Sequence, residues 1–170
     1  LGFFVGTAHG DAGAGKAAFA AKKCTGCHYT DGPAKERNIA DQLAKKGPEL
    51  WYAGSKFQAA WLKGWLQDPK PIRHLAYNSL TKKNAGDHPK LSAGDAANVA
   101  DFLMSKTTSE VKAGVIKPKK NLKGKKIFTK KMPCTGCHQS ASKKGKVTGG
   151  FSGPTLVGVG KRLNPDWIYA

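Results

Sequence analysis

Acidic residues are scarce in this chain. It has 11 Asp+Glu against 29 Lys+Arg in 170 residues, a formal net charge of +18. That balance predicts acidic partners and salt-sensitive association, against the plainer reading of a solvated lysine surface. Nucleic acid is the usual partner of a basic chain. No helix-turn-helix, finger or RNA-binding motif is present, so acidic partner proteins are expected instead. Apolar residues are not plentiful either, and 39% is at or slightly below the globular norm. A chain of this length makes one or two domains, and two would each have a thin core. The apolar stretch 1–10 is too short to cross a bilayer. It reads as the end of a secretory signal cleaved before Asp11, or as the tail of an N-terminal membrane anchor. Methionine occurs twice, as Met104 and Met132, and cysteine four times.

Those four cysteines repeat one pattern. Cys24-Thr25-Gly26-Cys27-His28 is matched by Cys134-Thr135-Gly136-Cys137-His138, which is the pattern for covalent c-type haem attachment. Two thiols at this spacing form thioethers to the two haem vinyl groups. The next histidine, His28 or His138, then supplies the proximal axial nitrogen. A four-cysteine zinc site, a thioredoxin-like redox pair and two disulfides are the alternatives. Each leaves both histidines as coincidence. The cofactor reading is therefore two covalently bound haem c groups. Their macrocycles would supply the apolar volume the composition lacks.

An Ala-rich segment over 13–24 predicts a helix running into the first motif. Gly32-Pro33 and Gly47-Pro48 punctuate a loop over 29–55. Phe57, Trp61, Leu62, Trp65 and Leu66 recur at helical spacing, predicting a helix from Lys56 to Gln67 that Asp68-Pro69 stops. After a loop over 70–91, Ser92 and Asp95 form a capping box for a helix whose buried stripe is Val99, Phe102 and Leu103. Residues 106–123 read as a Lys-rich linker. The pattern then restarts at Gly124-Lys125-Lys126-Ile127-Phe128. Gly153, Pro154, Leu156, Gly160, Arg162 and Trp167 repeat Gly47, Pro48, Leu50, Gly54, Lys56 and Trp61 in one register. Asn164 and Pro165 mark a helix start. Met132 lies too close to Cys134 to reach the distal face and is expected to be a packing residue.

On these residues the chain resembles a tandem dihaem class I cytochrome c. The carriers are Gly15-Lys16-Ala17-Ala18-Phe19 before the first motif, Gly47-Pro48-Glu49-Leu50 after it, and their second copies. The resemblance implies an all-α fold with two small domains, each a few helices around a covalent haem. Domain 1 is expected over 11–105 and domain 2 over 124–170. The second copy stops at Ala170 without a counterpart of 65–105. It is expected to be incomplete, its remainder outside this sequence or supplied by another subunit. The family's closing helix crosses its first, so Phe19 is expected to meet Phe102. The carbonyls of Pro48 and Pro154 are expected to accept a hydrogen bond from the proximal histidines.

In the family a Met-Pro precedes the closing helix. Here His88-Pro89 takes that place, and Met104 lies on the wrong element. The resemblance therefore makes His28 and His88 the axial pair of haem 1, with His74 the alternative to His88. A six-coordinate haem leaves no substrate site and carries electrons. The expected function is electron transfer, as a shuttle or as the cytochrome subunit of a membrane respiratory or photosynthetic complex. The alternative is a thiosulfate dehydrogenase-like or peroxidase-like oxidoreductase with haem 2 as an open site. Gln139, Ser140 and Ser142 are its weak acid–base candidates. Attachment of this kind takes place outside the bacterial cytoplasm, so the chain is expected to be periplasmic, or anchored in the membrane and facing the periplasm.

Overall fold

The computed structural model describes residues 10–117 and 119–170. The expected signal remnant or anchor therefore lies outside the described residues, apart from Gly10. Helix α1 (Ala12–Ala21) starts at Asp11, whose side chain accepts from the Gly13 N–H. It ends where Lys23 takes a left-handed φ of 58°, and one 3-10 turn over Cys24–Gly26 follows. The expected loop 29–55 contains two short helices, α2 (Ile39–Ala44), capped by Asn38, and α3 (Ala53–Lys56). Then come α4 (Ala59–Gln67) and, after loop 70–91, α5 (Ala93–Met104). Ser92 caps α5 by accepting from the Asp95 N–H at 3.1 Å.

Helix α1 crosses α5, and the Phe19 and Phe102 rings meet at 5.7 Å. Gly15 makes the crossing close, because a Cβ there would overlap the Asn98 carbonyl and Phe102. Leu62 and Leu66 of α4 join Val99, Phe102 and Leu103 in one buried cluster. Every buried apolar side chain among the described residues belongs to this first half.

The second half repeats the opening of the first with one residue more. Helix α6 (Leu122–Lys126) runs into a π turn over Ile127–Lys131, closed by the Met132 N–H on the Ile127 carbonyl at 2.9 Å. Phe128 stands one residue further from its Cys-x-x-Cys-His motif than Phe19 does, and a π turn absorbs one such residue. Met132 is 53% exposed; it is not the packing residue expected, because the π turn ends there and turns it outward. Short α7 (Cys134–Cys137) carries the motif, and the two-residue strands β1 (Ser140–Ala141) and β2 (Val147–Thr148) pair antiparallel. Helices α8 (Val159–Arg162) and α9 (Pro165–Tyr169) follow, the latter capped by Asn164. Among the described residues no helix is long and apolar enough to cross a membrane.

The halves meet through equivalent positions. Phe57 bridges Leu163, the Gln58 N–H donates to the Arg162 carbonyl at 2.9 Å, and the Asn164 N–H donates to the Lys56 carbonyl at 2.8 Å. Each position has its counterpart across the contact, so the contact has local two-fold symmetry. This pairing delays the helix expected over 56–67, which starts only at Ala59 as α4, since Phe57 and Gln58 are extended to make it. Trp167 stacks on Tyr52 at 6.3 Å, and the Lys56 ammonium lies 4.5 Å from the Trp167 ring centre. The expected linker is tied down on both sides. Ser55 accepts from the Thr108 N–H at 3.0 Å, and buried Asp166 accepts from the Gly114 and Ile116 N–H groups, each at 2.7 Å.

Candidate functional site

The first motif is a tight turn between α1 and the loop that leads to Pro48. The Cys27 and His28 N–H groups fold back on the Cys24 carbonyl at 3.1 and 3.0 Å. His28 Nδ1 lies 2.7 Å from the Pro48 carbonyl. A carbonyl can only accept, so Nδ1 carries the proton and Nε2 keeps its lone pair free for a metal. Gly47 permits this approach, since a Cβ there would stand 2.7 Å from His28 Cε1. The Leu50 N–H closes the loop on the Tyr29 carbonyl at 2.9 Å. Burial pushes the His28 pKa down, the Pro48 carbonyl opposes this, and His88 adds to the depression.

The second motif has matching geometry. His138 Nδ1 lies 2.7 Å from the Pro154 carbonyl, and a Cβ at Gly153 would stand 2.7 Å from His138 Cε1. The Leu156 N–H closes this loop on the Gln139 carbonyl at 2.9 Å. Among the described residues no three His, Cys, Asp or Glu side chains gather as a metal site. The two Cys-x-x-Cys pairs therefore do not converge, as a zinc site made of all four cysteines requires.

Opposite His28 stands His88, with ring centres 6.3 Å apart and planes at 46°. Metal–imidazole bonds are about 2 Å long, so rings at this separation leave room for one metal ion between them, which His28 and His88 would hold. Trp65 flanks His88 at 4.6 Å, and burial lowers the His88 pKa. His74, the alternative, is turned to the second half, where its ring packs on Phe151 at 4.7 Å.

A charged network stiffens the chain around His28. Lys45 binds Glu49 and, at 3.3 Å, Glu36, which also accepts from the Tyr29 hydroxyl at 3.0 Å. Burial alone would lower the Lys45 pKa, but its carboxylate partners raise it well above the ordinary value. Burial, reinforced by Glu49, pushes Tyr52 up to about 12. Sequence reading missed this network, and equally Arg73 and Trp51. Each of the last two keeps a buried donor, Nε and Nε1 respectively, without a partner among the described residues. The spacing of Glu36, Lys45 and Glu49 gives no periodic signal that could have grouped them.

Helices crossing over a Cys-x-x-Cys-His turn, with the histidine locked to a proline carbonyl and a second imidazole facing it, make a c-type haem-attachment fold. The cytochrome c family model matches residues 12–107, and the chain belongs to the cytochrome c family. A covalently bound haem c and a haem-based electron-transfer role follow for that domain. Comparison with curated proteins and with solved structures returns no match.

Proposed function

We propose that the chain is a dihaem electron carrier. Cys24 and Cys27 would hold one haem c, with His28 and His88 as its axial ligands. Cys134, Cys137 and His138 would hold a second. The observation that carries this reading is the facing pair His28 and His88, because two strong axial donors leave no position for a substrate. The identical bond from each proximal histidine to its proline carbonyl, 2.7 Å in both halves, supports the second haem. When bound, haem supplies a one-electron couple. Pro48 and Pro154 fix the tautomer and orientation of the proximal rings and raise their basicity as ligands. The oxidoreductase alternative has no comparable observation in its favour; of its weak candidates, the Ser142 hydroxyl accepts from the Lys146 N–H at 3.2 Å within the β1–β2 hairpin.

The test is haem stoichiometry. The purified chain should carry two haems that resist acid-acetone extraction, and Cys134→Ala with Cys137→Ala should halve the count. A chain with one covalent haem before the substitution sinks the dihaem reading. The proposed partners are acidic redox proteins, with membrane association through the N-terminal segment. The proposed location is the periplasm, or the membrane facing it, because haem attachment of this kind takes place there.

A further inference from the structure

The two halves also touch away from the Phe57–Leu163 contact. Loop 70–91, which carries His88, rests its first residues on the loop 150–155 that carries Pro154. The Thr155 N–H donates to the Ile72 carbonyl at 2.8 Å, and Arg73 Nη2 donates to the Ser152 carbonyl at 2.9 Å. The His74 ring lies on Phe151. Arg73 Nε is buried with no partner, so the bond to Ser152 is what fixes this guanidinium among the described residues. The contact continues toward His88 through backbone. The His74 carbonyl accepts from the Asn84 N–H at 2.8 Å, Leu75 bridges Lys83, and Gly86, at φ +71°, turns the chain just before His88. On the other side of the same contact, Pro154 holds His138.

We propose that Arg73 and Phe151 are positioning residues for the axial pair. Through them the proximal loop of the second half sets how readily His88 leaves its place opposite His28. This rests on the axial reading of His88. Loop 70–91 buries only Leu75 and Leu91, so it belongs to the part of the fold that opens at low cost. A segment of that kind is governed by its anchors. One anchor is local, the Leu91 N–H on the Leu66 carbonyl at 2.9 Å, and another is the second half. Coupling of this kind is reciprocal. The ligation state at one motif then biases the loop that holds the proximal histidine of the other.

The experiment measures carbon monoxide binding to the reduced full-length holoprotein by stopped flow, together with the resting ferric spectrum. The haem 1 phase is defined as the one that His88→Ala accelerates. Arg73→Met, which removes the donor but keeps the bulk, and Phe151→Ala should each leave the resting spectrum low-spin at haem 1. Each should speed that phase on the order of tenfold. Arg73→Lys, which can still donate to the Ser152 carbonyl, should bind close to the wild-type rate. Rates equal to wild type in both Arg73→Met and Phe151→Ala, with His88→Ala fast, overturn the proposal and leave the axial reading standing. A His88→Ala protein that binds no faster than wild type overturns the axial reading, and the proposal with it.

Discussion

On the proposed axial pairing, a histidine where the family usually has methionine changes the expected chemistry of haem 1. Imidazole is the stronger donor to ferric iron, so it holds the oxidised state and lowers the potential, whereas methionine raises it. His88 lies half-buried against Trp65, with Nδ1 3.0 Å from the Pro89 carbonyl. Its Nε2 is thus the nitrogen left for a metal. His88→Met rebuilds the family's Met-Pro dipeptide without altering the loop. It should raise the potential of haem 1 and add the weak far-red band of ferric iron–thioether ligation. His74→Ala should keep that haem low-spin, because His74 packs on Phe151 and not opposite His28. Redox titration followed optically decides the matter. A high-spin haem 1 in His74→Ala, with His88→Met spectrally silent, would assign the ligand to His74.

At the scale of elements, two glycines in matching sequence contexts have opposite surroundings. Gly15 on α1 lies under α5, where a Cβ would overlap backbone and the Phe102 Cβ. Gly124 on α6 has only Asn121 near it, at 3.6 Å or more. Gly15→Ala should therefore destabilise the first half by about 1–3 kcal/mol through overpacking. Gly124→Ala should stabilise α6 by ~0.5–1 kcal/mol through the helix preference of alanine. Denaturant unfolding of the two variants checks both signs. A Gly124→Ala that loses as much stability as Gly15→Ala would mean that α6 is crossed as α1 is. Helices α1 and α5 were each legible because their signals are local, the Ala-rich run, the Ser92 cap and the apolar stripe on α5, whereas their crossing came from the family resemblance. The late start of α4 was not legible. Phe57 and Gln58 fit a helical period, yet their backbone pairs with Leu163 and Arg162, and tertiary pairing overrides propensity. The place of His74 was hidden for the same reason, since it is set by Phe151 in the other half. His88 could be singled out in the sequence because its neighbours, Pro89 and the capped α5, mark its position along the chain.

For the whole molecule, charge is distributed as unevenly as the core. The buried apolar cluster lies in the first half, while the basic excess lies mostly in the second. Between 117 and 131 there are eight lysines and no acidic residue, and the described residues in this stretch are half-buried or exposed. Acidic side chains of the first half are partly occupied by lysines there, as in Asp95 with Lys22 at 3.1 Å and Asp68 with Lys90 at 3.1 Å. The second half offers few such partners, so its field extends into solvent and steers anions toward the second motif. Electron transfer from the reduced holoprotein to ferricyanide, which tests attraction of an anion without a protein partner, should therefore slow on the order of tenfold as salt is raised. Screening of this size is expected once the Debye length contracts to about 10 Å near 0.1 M. A neutral quinone acceptor should show no such slope. Lys119→Glu with Lys120→Glu and Lys125→Glu should flatten the slope, while Lys16→Glu with Lys63→Glu in the first half should change it less. A ferricyanide rate indifferent to salt, or equal slopes in both sets of variants, would reduce the lysine track to a solvated surface and remove the argument for an acidic partner at the second half.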